Sequence, residues 1–359
     1  MDSNNIKAIQ IIDYQELSDL FVKFNSSTQN SNFFTSIIWL EHWFNFFWQE
    51  NWQIHSYAFY KNEELIALAP LYIKTSDNFP FIKTLHLMGQ GEPEQAEVAS
   101  EYLDILIAPG HEHAVYSQLV SLISNCKIDI MVASAIFSNS HIATIMLKIS
   151  GKNLTRNYVQ YTLLTENFSL QSVSKNTRSR IKRSANQLSK LNAEMRWLPY
   201  NELDNLWPTL IAFHQDRWQK KGDFGAFSSD VFNLFHQSLI ENHSSSVAAS
   251  AIFVNSRPIA INYYLVSEDT YHFYQSGWDE QNHTKLSPGL FLHYWSILNC
   301  PNKYYDFMMG GVNNSYKAKF NADVRAMLSI IVVKSPVKLF FSKAFNKLTR
   351  LFFSRFVRK

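Results

Sequence analysis

Cysteine is nearly absent from this chain. Cys126 and Cys300 are the only two in 359 residues, too few for a metal-ligand set or a disulfide framework, and they read as reduced thiols of a cytoplasmic protein. Glycine and proline are equally thin at ten each, which excludes collagen-like and linker-like character. Charged residues make up only 18% against 46% hydrophobic and 15% aromatic, the reverse of a disordered composition. The N-terminus, MDSNNIKAIQIID, lacks a basic n-region and an apolar h-region, so no export signal is expected. No apolar run reaches the ~18–20 residues of a membrane span; the richest, from Ile37 to Trp48, is interrupted by Glu41 and His42. G-x-x-x-x-G-K-[ST], G-x-G-x-x-G and G-x-S-x-G are all missing, which removes support for phosphate-loop, dinucleotide-binding and serine hydrolase readings.

What is present is enough for two cores, since a domain takes about 100–200 residues. The net charge of +3 is unevenly placed. Residues 335–359 carry seven cations and no acid, which leaves the rest of the chain at −4. A mildly acidic body argues against bulk nucleic-acid binding, and no DNA partner is expected. Phe341, Phe345, Leu348, Phe352 and Phe356 recur at helical spacing in the basic tail. That pattern suits a helix lying on an anionic membrane surface, or one docked on the body through its phenylalanines.

The periodicity alternates strand and helix. Strands are expected at 6–12, 53–60, 65–72, 84–88, 103–107, 128–133 and 158–164, with helices at 14–24, 36–48, 113–124 and 140–149. The second half repeats the rhythm. A basic helix (171–191) leads to a strand (194–198), helices at 203–220 and 229–241, and a hairpin of 247–254 and 259–266. A strand at 270–276, a helix from about Ser287, and strands at 304–308 and 327–333 follow. The reading is mixed α/β with two similar lobes, 1–165 and 166–335, followed by a tail, 336–359.

Several short segments stand out. They are Glu101-Tyr102-Leu103-Asp104 with Pro109-Gly110, Phe213-His214-Gln215-Asp216-Arg217-Trp218, Ser276-Gly277-Trp278-Asp279, Ser287-Pro288-Gly289, and Tyr305-Asp306-Phe307 with Gly310 and Tyr316-Lys317. In this order, over roughly residues 30–335, the set resembles the CelD-like acyltransferase family associated with bacterial cellulose biosynthesis. That family belongs to the Gcn5-related N-acetyltransferase (GNAT) superfamily and is related to the FemABX peptidyltransferases. The resemblance implies two tandem GNAT folds with the second as the working lobe, and acetyl-CoA or another acyl-CoA as donor. It implies no metal, and a sugar or cell-envelope precursor as acceptor.

The residues themselves allow a chemistry to be assigned. Ser287 can cap a helix, Pro288 suits its first turn, and Gly289 lets a ligand approach the backbone. The free N–H groups and positive end of that helix suit a pyrophosphate, with Ser276 and Gly277 on the preceding strand; an ordinary capped core helix is the alternative. Acyl transfer needs a deprotonated nucleophile, a polarised thioester and a proton for the leaving thiolate. Asp306 could act as base or orient the acceptor, Tyr316 could give the proton, and Lys317 could hold an anion. His214 and Arg217 share a helix face at i and i+3. His214 is a second base candidate, and Arg217, with Trp218 beside it, suits a carboxylate or phosphate. Arg178, Lys182 and Arg183 of the basic helix could hold phosphates or form a solvated face. Tyr102 and Asp104 are expected at the cleft between the lobes. Each of these side chains also reads as a packed, hydrogen-bonded core residue. Two other functions fit the same pattern: aminoacyl transfer from tRNA in the FemABX manner, and a non-catalytic binding module at a membrane assembly.

Overall fold

A computed structural model describes residues 6–27, 32–76, 81–312 and 315–340. The chain divides into two compact units. The first comprises Met1–Glu94, Ala99–Val159 and Ala326–Lys359, and the second Gln95–Val98 and Gln160–Arg325.

The first unit opens with β1 (Ile6–Ile11), α1 (Tyr14–Ser27) and α2 (Ile37–Phe47). Ser36 caps α2 by accepting the Trp39 N–H at 3.3 Å, the role its side chain suits. The strands expected at 53–60 and 65–72 each break in two. The first becomes β2 (Gln53–Ile54) and β3 (Ser56–Lys61), the second β4 (Glu64–Ala69) and β5 (Leu71–Thr75). The reason is at Pro70, which has no N–H to give a ladder. Beside it the Ser56 hydroxyl donates to Leu71 O at 2.9 Å and accepts from Leu71 N–H at 3.0 Å. The halves on either side of this junction join different sheets. Asn62 and Glu63, with φ of 48° and 69°, form the two-residue turn between β3 and β4 that matches strand twist.

β6 (Lys83–Leu87), β7 (Leu106–Ile107), α3 (Glu112–Asn125), β8 (Ile130–Phe137) and α4 (His141–Met146) follow. The chain crosses to the second unit within β9 (Lys152–Leu164). The strand expected at 103–107 shrinks to its last two residues because Tyr102, at φ 60°, turns the backbone out of the extended region. One sheet runs β1-β3-β4-β7. In the other sheet β5 pairs antiparallel with β2 and β6, and β6 lies parallel to β8. Trp39, Trp43, Tyr72, Phe34 and Phe59 are fully buried here.

The second unit carries α5 (Lys175–Lys190), β10 (Glu194–Leu198), α6 (Tyr200–Gln219), α7 (Asp230–Asn242), β11 (Val247–Val254), β12 (Arg257–Val266) and β13 (Thr270–Trp278). α8 (Glu280–His283), α9 (Pro288–Leu298) and β14 (Tyr304–Gly310) complete it. The chain returns to the first unit in β15 (Asp323–Val333), which pairs antiparallel with β8, and reaches α10 (Pro336–Phe340). β10 to β13 form an antiparallel meander, and β14 joins β13 in parallel. Successive strand side chains point to opposite faces. Tyr263 meets Trp207 of α6 at 5.1 Å, while Tyr264 shares a hydroxyl network with Ser296 of α9 through Ser250. α6 and α9 therefore cover opposite faces, and α5 lies beside α9. In the tail, Leu339 is buried and Lys338 meets Asp129 at 2.7 Å. The stripe from Phe341 onward lies outside the described residues.

Candidate functional site

The start of α9 follows from an unusual local path. Asp279 caps α8, accepting the Gln281 and Asn282 N–H groups at 3.1 and 3.0 Å. The chain then closes a 3-10 turn at Thr284–Leu286 and reaches Ser287 at φ 50°. Here the expectation of a serine cap fails: the Ser287 side chain makes no capping bond, because its left-handed backbone is set by closing the preceding turn onto Thr284 O. Pro288 has no N–H, and the first helical bond is Phe291 N–H to Ser287 O at 3.2 Å. The Gly289 and Leu290 N–H groups thus have no acceptor within the helix. A Cβ on Gly289 would meet only the Trp278 ring, at 3.5 and 3.8 Å, an ordinary contact.

Tyr316 faces this helix. The residue is 40% exposed, but its hydroxyl turns inward to His293 Nε2 at 3.5 Å. Burial lifts the phenol far above its usual pKa, with Arg217 partly opposing. His293 Nδ1 lies 2.8 Å from the Tyr305 hydroxyl, which itself donates to Tyr264 Oη at 3.3 Å. Tyr305 therefore accepts from His293 Nδ1–H, which leaves Nε2 as the acceptor for Tyr316. The imidazole stays neutral because burial, helped by Lys317, lowers its pKa to about 3. Arg217 Nε lies 3.6 Å from Glu280 of α8, and Lys221 sits over the Trp218 ring at 4.8 Å. Arg217 is thereby held at α8, and Tyr316 meets α9 at His293, one turn beyond Gly289.

Other candidates are held elsewhere or otherwise. Asp306 is fully buried. Its Oδ2 lies 3.0 Å from His272 Nδ1 and accepts from Gln160 Nε2 at 2.9 Å, and its Oδ1 accepts the Met308 N–H at 2.7 Å. Lys317 is buried too, and its ammonium donates to the carbonyls of Phe307, Met308 and Met309. Met308 has φ 62°, so Asp306 and Lys317 clamp the amide and carbonyls of one bend in β14. An anion-holding Lys317 is corrected accordingly, its donors being used by backbone. His214 is buried, and desolvation lowers its pKa to about 4. A Cβ on Gly277 would stand 2.7 to 2.9 Å from Phe213 and the backbone of Leu210 and His214. The close approach at Gly277 is thus made by α6. Ser276 sits opposite Asn262 in the β12–β13 ladder.

Arg178 folds back onto the loop before α5, donating to Val173 O at 3.2 Å. The remaining cations of α5 (Lys175, Arg180, Lys182, Arg183 and Lys190) are exposed, and the helix contains no acid. Tyr102 and Asp104 lie in the first unit. Asp104 accepts the His141 and Ile142 N–H groups at 3.0 and 2.7 Å, at the start of α4. Tyr102 stacks on Phe137 at 4.7 Å.

Sequence reasoning missed His293, His272, Gln160 and Ser267, whose hydroxyl lies 3.2 Å from His272 Nε2. None lies in a recognisable spacing with its partners, and only the sheet register brings them together. Among the described residues no cluster of three metal-ligating side chains occurs, and no helix is long and apolar enough to cross a membrane.

Residues 175–318 match the acetyltransferase (GNAT) domain family. No curated protein matches the chain. Among solved structures, FemX is similar over 93% of this chain and 99% of its own, with 9% identity and a TM-score of 0.60. A conserved protein of unknown function from Bacteroides thetaiotaomicron VPI-5482 aligns over 91% and 100%, with 11% identity and a TM-score of 0.52. The C-terminal domain of a putative lysylphosphatidylglycerol synthetase from Agrobacterium fabrum aligns over 94% and 96%, with 10% identity and a TM-score of 0.51. The expected mixed α/β architecture with a GNAT fold is present, and with it the fold of an acyltransferase.

Proposed function

We propose that this chain transfers an acyl group from an acyl-CoA thioester, acetyl-CoA in the simplest case, to an amine or hydroxyl of a sugar or cell-envelope precursor. The observation that carries the reading is the start of α9. There the Gly289 and Leu290 N–H groups lack helical acceptors, one turn before His293, which the Tyr316 hydroxyl meets. Two free N–H groups at the positive end of a helix suit a pyrophosphate, and the missing side chain at Gly289 leaves room for it. The thioester supplies an activated acyl carbon. The acceptor's amine or hydroxyl attacks this carbon and the C–S bond breaks; Tyr316, kept protonated by burial and oriented by neutral His293, gives its proton to the departing thiolate and regains one from the acceptor. Arg217 is the cation for an acidic group on the acceptor. Asp306 and Lys317 act one step back, by fixing the bend of β14.

The acceptor class follows the resemblance to the CelD-like family. Titration of the full chain with acetyl-CoA in a calorimeter tests the donor. Saturable binding supports the reading, and heat no greater than buffer dilution ends it.

One observation favours a second reading. The exposed cations of α5, unrelieved by any acid in the helix, suit a phosphate-rich partner such as the tRNA of an aminoacyl donor. Loss of transferase activity on ribonuclease treatment would select that reading over acyl-CoA.

A further inference from the structure

Leu339 anchors α10 in the first unit, clustered with Ile82, Ile130, Ile331 and Val333. The same short helix turns its other apolar side chains to water. Val337 is 72% exposed and Phe340 82%, and a spacing of three residues puts them on one helix face. Phe81 lies beside this helix: its carbonyl accepts from Lys338 Nζ at 3.2 Å, and the residue is 53% exposed. Single exposed apolar residues are ordinary, whereas a group of them rimmed by polar ones marks an interaction surface.

The rim is basic. Lys83, Lys127 and Lys152 are all exposed. Lys83 follows Phe81 by two residues, and Lys127 precedes Asp129 by two. Asp129, the acid at this corner, is buried, and its Oδ2 accepts from the Lys83 N–H at 2.9 Å and from Lys338 Nζ at 2.7 Å. Lys152 stands two residues before Leu154, which packs against the cluster holding Leu339, so strand alternation points both to one face. From Phe340 the sequence continues through residues 341–359 with six cations, no acid and a stripe of phenylalanines.

An occupant of this corner must take up apolar groups and meet an excess of positive charge. An anionic bilayer does both, since apolar side chains enter the acyl boundary while Lys and Arg meet the headgroups. It is also indifferent to the spacing of what enters it, and so accommodates the tail together with the corner from which the tail departs. We propose that this corner of the first unit docks on an anionic lipid surface, with Phe81, Val337 and Phe340 at the headgroup–acyl boundary and Lys83, Lys127 and Lys152 against lipid phosphates. One weak apolar insertion gives only marginal, reversible binding, and stable anchoring takes two signals. The corner supplies the apolar signal and the basic tail the electrostatic one. The surface lies within the first unit and does not depend on the transferase reading.

Co-sedimentation of the full chain tests it, with phosphatidylcholine vesicles that contain phosphatidylserine and with phosphatidylcholine alone. Salt-sensitive pelleting with the anionic vesicles is expected. Val337→Ser/Phe340→Ser, two changes at exposed positions that leave the tail intact, should weaken the partition about tenfold or more with an unchanged melting temperature. Lys83→Glu/Lys127→Glu should weaken it in low salt, where surface charges are least screened. Three results would overturn the proposal: no pelleting with anionic vesicles, equal pelleting with both lipids, or an unchanged partition in either folded double variant, which would leave the tail alone at the membrane.

Discussion

Asp306 and His272 stand carboxylate to imidazole at 3.0 Å, on neighbouring parallel strands where the register pairs the two residues directly. Both are closed off from solvent. With Gln160 and the Met308 N–H also engaged, the carboxylate has its lone pairs committed within the sheet.

Replacement of Asp306 by Asn therefore separates two roles. The isosteric amide removes the charge that these donors share, and buried charge-assisted bonds are worth about 1.5–3 kcal/mol. The expected result is a melting temperature lower by several degrees, with thioester affinity retained. A general base would instead show a ~10²–10⁴-fold loss of turnover at unchanged melting temperature. That outcome would return Asp306 to the chemistry.

At Gly289 the expected effect is on the donor. A Cβ there meets only the Trp278 ring at ordinary contact distance, so the backbone should tolerate valine while its branches fill the approach to two unpaired N–H groups. Acetyl-CoA affinity should weaken by ~10-fold or more, about 1.4 kcal/mol. Unchanged affinity in the folded variant would move the donor away from α9.

Tyr316→Phe deletes one hydroxyl, whose partner His293 is 3.5 Å away. Little stability should be lost. Turnover should fall ~10²-fold with the donor KM nearly constant, as expected for a group used only in the transition state. A raised KM with normal kcat would make the phenol a binding contact.

Buried imidazoles set the pH dependence of stability. The His214 pKa falls to about 4 on folding and that of His293 to about 3, from about 6.5 unfolded. The unfolded chain binds more protons between these values, so stability rises with pH up to about 6.5 and is level above it. For His214 the difference amounts to roughly 3 kcal/mol between pH 7 and pH 4. Denaturant midpoints at pH 7.5, 6 and 5 should show the fall, and His214→Gln should flatten it. An identical slope in that variant would contradict neutral burial of His214.

Much of the fold was legible in the sequence because its signals are local. Ser36 before an aromatic run and the Asn255–Ser256 turn, with φ of 49° and 60°, act over a few residues. Pro70 was equally visible, but its consequence was not, since only tertiary packing decides that β4 and β5 join different sheets. The site was legible in part. Gly289 lies in the first turn of α9, where its motif suggested a helix start. Lys317 does not serve an anion, because the bend at Met308 exposes carbonyls that no composition rule reveals. His293 is an unremarkable histidine of an apolar helix until β14 brings Tyr305 beneath it.

The last prediction concerns the tail. Residues 341–359 hold six cations and no acid around the stripe of Phe341, Phe345, Leu348, Phe352 and Phe356. A cut at Ser335 would be a poor test, because it removes buried Leu339 and the Lys338–Asp129 ion pair of the first unit. Shortening the chain after Phe340 leaves both in place. If the tail is a peripheral anchor, each cation near an anionic surface contributes ~1 kcal/mol, screened by salt. The full chain should then pellet with phosphatidylserine-containing vesicles in low salt and release in high salt, while the shortened chain stays in solution. If the phenylalanines instead cover the body, both chains should behave alike with vesicles and the shortened one should unfold at lower temperature. Equal pelleting combined with that loss of stability would exclude the anchor, since apolar burial of the stripe on the protein and insertion of the same rings into lipid are alternatives.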